Sequence, residues 1–162
     1  MPYPLRREKV EPGINGIDEA EFRIITNPGE DYKPLVKIAS GGEISRIMLA
    51  VKTVLARHDE TPTLIFDEID AGISGRVAHV VGEQIRELSE HHQILCITHL
   101  PQIAALGDRH YRVDKFSRDE RTFADIRELS SSARVKEIAA LLGGKKTTEA
   151  SLRTAEELLR TS

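Results

Sequence analysis

The sequence predicts an α/β fold, a mostly parallel sheet flanked by helices with an antiparallel hairpin at its edge. Two short, continuous apolar runs, 63–66 and 93–98, are typical of strands buried on both faces, as in a parallel sheet. The segment between them, 76–89, has helical apolar periodicity and is long enough for a right-handed crossover. Two further strands over 110–116 and 122–129 enclose a charged turn, which predicts the hairpin.

The beginning of the chain combines prolines and glycines with charges. Residues 1–20 are therefore expected to form an irregular leading segment, which is also a possible truncation point. A strand is predicted over 21–26, followed by a turn at Asn27-Pro28-Gly29-Glu30 and a linker over 32–39. Residues 21–144 should form the main domain, and 145–162 a C-terminal helix.

A glycine pair precedes the first predicted helix, 44–57. The apolar residues Ile44, Met48, Val51 and Leu55 recur at helical spacing and are expected to face the core. The preceding Ser40-Gly41-Gly42-Glu43 permits close approach of a ligand to the backbone, at the positive end of the helix dipole. Phosphate binding is one interpretation. An ordinary capping box formed by the serine and the glutamate is the other.

Polar residues follow both predicted parallel strands directly. Asp67 and Glu68 end the first strand, and His99 ends the second. Since ligands bind at the carboxyl edge of such sheets, these side chains should meet there. Two adjacent carboxylates are costly unless they bind a cation or transfer protons, although a simple helix cap is the alternative.

The C-terminal third is predicted to be mainly helical. A short helix is expected over 101–106, and a longer one runs from a cap at 130–132 to Leu142, where Gly143-Gly144 ends it. A last helix begins at Thr147 or Thr148 and reaches Leu159.

Composition excludes several classes of function. The 162 residues carry a net charge of -3 and only 4% aromatic residues with no Trp, so neither a global basic field nor a base-stacking platform is expected. The single cysteine, Cys96, excludes an intramolecular disulfide and suits a reducing cytoplasm. No apolar run approaches the roughly 20 residues that cross a bilayer, so we expect no membrane partner.

Several local patterns fail as sites. Residues 143–148 (GGKKTT) lack the first glycine of a phosphate loop and follow a helix rather than a strand. His91, His92, Cys96 and His99 match no common zinc spacing, and Cys96 is expected to be a buried structural thiol. Ser74 lacks the strand-to-helix turn that a nucleophile elbow needs.

The ordered set of motifs resembles the ABC-type ATPases. Residues 39–43 (ASGGE) look like the signature motif, and 63–68 (TLIFDE) look like the Walker B strand. Residues 70–74 (DAGIS) fall where the D-loop lies, and 97–99 (ITH) resemble the switch histidine. Within that superfamily, the residues in these motifs resemble those of a bacterial DNA repair family related to the structural-maintenance-of-chromosomes (SMC) ATPases. This resemblance runs from about 21 to 144.

The resemblance implies a role for each site residue. Asp67 would hold Mg²⁺, Glu68 would act as general base toward the attacking water, and His99 would contact the γ-phosphate and help place that water. The signature residues would bind ATP held by a second head, so the glycines should be exposed in the monomer. These residues are Ser40, Gly41, Gly42 and Glu43. Asp70, Ala71 and Gly72 would contact that partner.

The resemblance also implies what is missing. Family members carry a phosphate loop in an N-terminal lobe, so this chain looks like the C-terminal lobe of an ABC/SMC-type head and is expected to be inactive alone. The implied partners are that lobe, a second head in a homodimer, and DNA. The implied function is ATP-dependent head dimerisation and hydrolysis in double-strand break repair and recombination, in the nucleoid. The alternatives are a transporter motor fragment, in which proline usually replaces Ile69, and a non-catalytic α/β module.

Overall fold

The computed structural model describes residues 5–14, 16–25, 29, 31–37, 40–118, 121–144 and 147–161. Its strands are Leu5–Gly13 (β1), Gly16–Ile24 (β2), Lys33–Pro34 (β3), Thr63–Phe66 (β4), Gln93–Cys96 (β5), Tyr111–Arg118 (β6) and Arg121–Glu128 (β7). Its α-helices are Gly41–Leu55 (α1), Gly75–Ser89 (α2), Pro101–Ala104 (α3), Ser131–Gly143 (α4) and Glu149–Arg160 (α5), with a 3₁₀ turn at Leu35–Lys37.

The predicted α/β class is confirmed, but the sheets are small. β4 and β5 are parallel, β6 and β7 form an antiparallel hairpin, and β1, β2 and β3 form an antiparallel sheet in that order. Within the described ranges only one pair of strands is parallel, so the expectation of a mostly parallel sheet holds for the central pair alone. In the same ranges no helix is long and apolar enough to span a bilayer.

The described part of the leading segment is a β-hairpin, so the expectation of irregular structure is wrong for residues 5–13 and 16–20. β1 pairs with β2 from Leu5 opposite Phe22 to Gly13 opposite Gly16. The turn-forming residues lie at the tip of this hairpin, where Gly16 has a φ of 112°. Pro12 lies on the edge strand, where proline is tolerated. Of the predicted turn over 27–30, only Gly29 is among the described residues.

The parallel unit forms as predicted. β4 and β5 pair in register from Thr63 opposite Gln93 to Phe66 opposite Cys96, and α2 connects them. One core lies against this pair, with α1, α2 and α3 each contributing to it. Its buried residues are Leu49, Leu64, Phe66, Ile69, Val81, Leu88 and Ile103.

The opposite face of the parallel pair is open, so the expectation of burial on both faces is wrong. Ile65 is 66% exposed, Leu95 48% and Ile97 59%. Leu49 of α1 and Val81 of α2 pack in one cluster with Leu64 and Phe66, so both long helices cover the same face of the pair. We call the uncovered residues Ile65, Leu95 and Ile97 the open sheet face.

Helix α1 also presents its apolar stripe outward. Ile44, Met48, Val51 and Leu55 are all exposed, whereas Gly42 and Leu49 are buried. The predicted stripe exists, but the expectation that it faces the core is wrong. No element in the described part of the chain covers this stripe. Val77 and Val80 of α2 are also exposed.

A second core holds the C-terminal helices. α4 and α5 pack through Ile138, Ala139 and Ala155. As predicted, α4 ends at Gly144, which has a φ of 69°, and Thr148 caps α5. Arg112 joins the β6–β7 hairpin to α4 through a 2.7 Å ion pair with Glu137.

Candidate functional site

One cleft lies where β4 and β5 end and α1 begins. It has a volume of about 470 Å³, and its lining gathers the polar residues predicted to meet there, Asp67, Glu68 and His99. The other lining residues are Ser40, Gly41, Gly42, Asp70, Ala71, Ile97 and Thr98. Of the predicted site residues, Glu43 and Gly72 lie outside this lining. The parallel pairing of two short strands therefore brings the candidate groups together.

Ser40 caps helix α1 at one side of the cleft. Its Oγ accepts a hydrogen bond from the Glu43 N–H at 3.2 Å, and its carbonyl accepts one from the Ile44 N–H. The Ser40 half of the predicted capping box is confirmed, and it is compatible with a ligand site because this cap satisfies one of the several N–H groups that the first turn of a helix leaves unpaired. Sequence reasoning posed these two roles as alternatives.

The two glycines have different surroundings. Gly41 is exposed, and a Cβ placed there would clash with the carboxylate of Glu68. Gly42 is buried, and its Cβ would lie 2.8 Å from the Glu68 carbonyl oxygen and 2.9 Å from the Ala71 Cβ. The expectation that both glycines are exposed is wrong for Gly42, because the loop after β4 packs directly onto it.

Asp67 and Glu68 are both exposed at the end of β4. The Asp67 Oδ1 accepts the Glu68 N–H at 2.9 Å, and Ser45 donates its hydroxyl to the Asp67 carbonyl at 2.8 Å. Glu68 has a φ of 56°, which is uncommon for a residue with a side chain and costs about 1 kcal/mol or more. This conformation places its carboxylate over Gly41.

The cleft suits Mg²⁺ better than a metal held by protein alone. Across the described ranges no group of three or more histidine, cysteine or acidic residues is placed to hold a metal. Mg²⁺ needs no such group, since it keeps several waters and binds through one or two carboxylates plus substrate phosphates. The exposed carboxylate of Asp67 fits that pattern.

Asp70 is buried and turned toward His99. Its side chain is 4% exposed, and its Oδ2 lies 2.6 Å from the Thr98 hydroxyl, 2.9 Å from the His99 backbone nitrogen and 3.0 Å from the His99 Nδ1. Burial acts to raise the pKa of Asp70, but the hydrogen bonds from Thr98 and His99 outweigh it, and the pKa is lowered. Sequence reasoning placed Asp70 at a partner interface and missed this contact.

Arg46 is a second residue that sequence reasoning missed. From the second turn of α1, its Nη1 donates to the carbonyls of Ile69 at 3.0 Å and Ala71 at 2.9 Å. It therefore ties the loop after β4 to the helix that the glycine pair opens. Its position four residues after Gly42, on the same helix face, is a signal that could have been used.

Cys96 has no features of a nucleophile. Burial raises the pKa of its thiol to about 12, and the nearby carboxylates of Asp70 and Asp67 add to this. A thiol with such a pKa stays protonated at neutral pH. Cys96 is half-buried and packs against the main core, which agrees with a structural thiol but not with full burial.

Comparison with known proteins identifies close relatives over most of the chain. It is 49% identical over 145 residues to "DNA repair protein RecN" of Halalkalibacterium halodurans, covering 90% of this chain and 26% of that protein. It is 51% identical over 152 residues to the protein of the same name from Treponema pallidum, covering 94% and 26%. The chain thus spans about a quarter of the length of the curated relatives it matches. No protein-family model matches it.

Solved structures agree on the fold. The Smc head domain with a coiled coil and joint derived from Pyrococcus yayanosii matches with a TM-score of 0.58 at 26% identity, covering 88% of this chain and 26% of that one. A chain from a study of ATP-driven dimerization and DNA stimulated activation of SMC ATPases matches with a TM-score of 0.50 at 24% identity, covering 88% and 83%. The SMC-type head fold implied by the sequence motifs is confirmed.

Proposed function

This chain is RecN-like over about nine tenths of its length, and on that premise we propose that it forms the catalytic C-terminal lobe of a RecN-type ATPase head. The observation that carries the proposal is the cleft, which combines adjacent carboxylates, a histidine and a glycine-paired helix start. These are the groups that hydrolysis of a nucleotide phosphate needs apart from the phosphate loop.

The roles divide among three residues of the cleft. Asp67 would hold Mg²⁺, which neutralises charge on the phosphates of ATP when bound. Glu68 would accept a proton from the attacking water, since its exposed carboxylate reaches into the cleft. His99 would place that water through the ring nitrogen that does not face Asp70.

The signature residues would serve a nucleotide held by a second, identical head. Gly41 is exposed, and the helix start at Ser40 offers backbone N–H groups suited to phosphate. In this conformation the Glu68 carboxylate lies over Gly41, so head engagement would require it to move away. Ala71 and Gly72 would contact the second head beside the signature.

Uncovered apolar surface supports a further partner, an N-terminal lobe that bears the phosphate loop. The open sheet face and the apolar stripe of α1 are large exposed surfaces on otherwise regular elements. Surfaces of this kind mark interaction sites. An added strand and helix from such a lobe would cover both.

We assign the assembled protein to the repair of DNA double-strand breaks and to recombination in the bacterial nucleoid. The relatives are named DNA repair proteins, and one structural match comes from a study of DNA stimulated activation of SMC ATPases. DNA is therefore the expected third partner, and a cytoplasmic location follows from it.

The test is reconstitution with the missing lobe. The N-terminal ATPase segment of a RecN relative is co-expressed with this chain, and phosphate release is measured with Mg²⁺ and ATP. We expect no turnover by the chain alone, turnover by the pair, and a loss of about 100-fold or more in Glu68→Gln.

The matched control is Glu83→Gln, an exposed carboxylate on α2 outside the cleft, which should hydrolyse ATP like the unchanged pair. Turnover by the isolated chain that Glu68→Gln abolishes would contradict the proposed division into lobes. A stable pair without any turnover would contradict the catalytic role.

A further inference from the structure

We propose that Arg46 is a positioning residue that fixes segment 70–72 to the start of α1, so that this segment and the glycine pair form one preformed surface. The contact itself is a property of this chain. Its consequence for the engagement of a second head rests on the proposed function.

One nitrogen of the Arg46 guanidinium holds two carbonyls of the loop after β4. Its Nη1 donates to the Ile69 carbonyl at 3.0 Å and to the Ala71 carbonyl at 2.9 Å. A terminal guanidinium nitrogen carries two N–H groups, so one proton is available for each bond. Among the described residues neither carbonyl has another hydrogen-bond partner, so the path of the loop on this side depends on Arg46.

The second glycine of the pair leaves room for this contact. Arg46 lies four residues after Gly42 and therefore on the same face of α1. A Cβ at Gly42 would lie 3.0 Å from the Arg46 Nη1 and 2.8 Å from the Glu68 carbonyl oxygen. The absence of a side chain at Gly42 thus admits both the loop and the guanidinium that holds it.

Segment 70–72 is held from its other side by the end of β5. The Asp70 Oδ2 accepts hydrogen bonds from the Thr98 hydroxyl at 2.6 Å and from the His99 backbone N–H at 2.9 Å. The segment therefore bridges two elements, through the Asp70 side chain on one side and through Arg46 on the other. Loss of Arg46 would release the segment from α1 alone.

The carboxylates of the cleft are held separately from segment 70–72. Ser45 donates its hydroxyl to the Asp67 carbonyl at 2.8 Å, and the Asp67 Oδ1 accepts the Glu68 N–H at 2.9 Å. Helix α1 thus contacts the loop twice, through Ser45 before Glu68 and through Arg46 after it. Loss of Arg46 should free the surface proposed to meet a second head and leave the two carboxylates in place.

The primary test is backbone ¹⁵N relaxation of the isolated chain, which reports the mobility of each N–H group. In the unchanged chain we expect order parameters of about 0.85 for Ala71 and Gly72, as in a rigid backbone. Arg46→Met keeps the apolar stem of the side chain but no donor, and the values should fall below about 0.6. Arg46→Gln should give the same loss, because its amide nitrogen is too short to reach both carbonyls.

The matched control is Arg86→Ala, which removes an exposed arginine from α2, outside the cleft. The order parameters of Ala71 and Gly72 should not change in this variant. Flexible Ala71 and Gly72 in the unchanged chain would overturn the proposal, whether or not the Arg46 variants fold. Rigid values in a folded Arg46→Met or Arg46→Gln would also overturn it.

The consequence for head engagement is measured in the reconstituted pair, as turnover at increasing concentration of the pair. A released segment must be ordered again on engagement, so Arg46→Met should raise the concentration that gives half-maximal turnover by about tenfold or more. The plateau kcat should stay within about threefold, because the carboxylates keep their own contacts. An unchanged half-maximal concentration would contradict the role in engagement. If the unchanged pair is inactive, the proposed function fails, and the relaxation measurement still stands by itself.

Discussion

At the scale of single residues, Gly41 and Gly42 are glycines for different reasons. Beside Gly42 lie the Glu68 carbonyl and the Ala71 Cβ of the loop after β4, and the Arg46 guanidinium that is hydrogen-bonded to that loop. Beside Gly41, among the described residues, lies the end of the flexible Glu68 side chain. Gly42 is therefore a glycine because the loop after β4 packs onto it, whereas Gly41 faces a side chain that can move.

We expect Gly42→Ala to lower the free energy of unfolding by about 1–3 kcal/mol, because its Cβ overpacks against the Glu68 carbonyl and the Ala71 Cβ. Gly41→Ala is the matched control and should change it by less than about 0.5 kcal/mol, since Glu68 can rotate away. Urea unfolding measures both. Equal losses in the two variants would refute the distinction.

A second prediction at this scale concerns His110. Burial and the nearby Arg134 lower the pKa of His110, and Glu137 opposes this only in part. The unfolded chain, with an ordinary pKa of about 6.5, therefore binds the proton first. The contribution of His110 to the free energy of unfolding is therefore fully present above about pH 6.5, and it is lost as the pH falls through the lowered pKa of the folded state.

The measurement is the free energy of unfolding at about pH 7.5 and about pH 5, on either side of an ordinary histidine pKa. In His110→Gln the loss of stability on acidification should be smaller than in the unchanged chain. His79→Gln, on the exposed surface of α2, should leave that loss as it is. The same loss in His110→Gln and the unchanged chain would show that His110 does not contribute.

At the scale of elements, helix α1 has an inner and an outer face. Leu49 is 4% exposed and belongs to the main core, whereas the adjacent Met48 is 45% exposed. The outer face is the more continuously apolar of the two, which is the reverse of the usual surface helix. A helix of this kind is adapted to contacts on both sides.

Leu49→Ala should therefore destabilise the isolated chain by about 2–5 kcal/mol, the range for buried leucines. Met48→Ala should cost less than about 1 kcal/mol, since its side chain loses little contact on truncation. Chemical denaturation of both variants gives the comparison. A larger loss in Met48→Ala would mean that the stripe is covered in solution.

At the scale of the whole molecule, two apolar surfaces, the open sheet face and the apolar stripe of α1, are not covered by any element of the described fold. A β-strand pair with helices on one face only is usually covered on the other in α/β proteins. The proposed N-terminal lobe would supply that layer.

The double variant Ile65→Thr with Leu95→Thr tests this surface. Both positions stay compatible with a strand but lose apolar area, so we expect unfolding stability within about 1 kcal/mol of the unchanged chain. Binding to the co-expressed N-terminal segment should weaken by about tenfold or more. Val36→Thr, at an 86% exposed position on the 3₁₀ turn, is the control and should bind normally in the same calorimetric assay.

Much of the fold could be predicted from sequence because local signals were strong. The continuous apolar runs before Asp67 and His99 indicated β4 and β5, and Gly144 and Thr148 marked helix ends that the structure confirms. The direction in which a face points could not be predicted. Periodicity locates the stripe of Ile44 and Met48 on one side of α1, but only tertiary packing decides which side is covered.

The candidate site divides in the same way. Strand ends placed Asp67, Glu68 and His99 together, because parallel strands end at one edge. The contacts of Arg46 and Asp70 depend on the path of the loop after β4. The spacing of Arg46 from Gly42 could have indicated that the two share a helix face, but the loop carbonyls that Arg46 binds and the direction of the Asp70 side chain follow from backbone geometry that no residue pattern encodes directly.

The left-handed backbone of Glu68 bears on the history of the sequence. Glycine, or less readily asparagine, would adopt a φ of 56° with less strain. On stability alone, substitutions at this position would be favoured, and a lineage under no selection for the chemistry of the cleft would be free to accumulate them. Under the proposed function, this strain would be a loss of stability that accompanies the placement of the Glu68 carboxylate in the cleft.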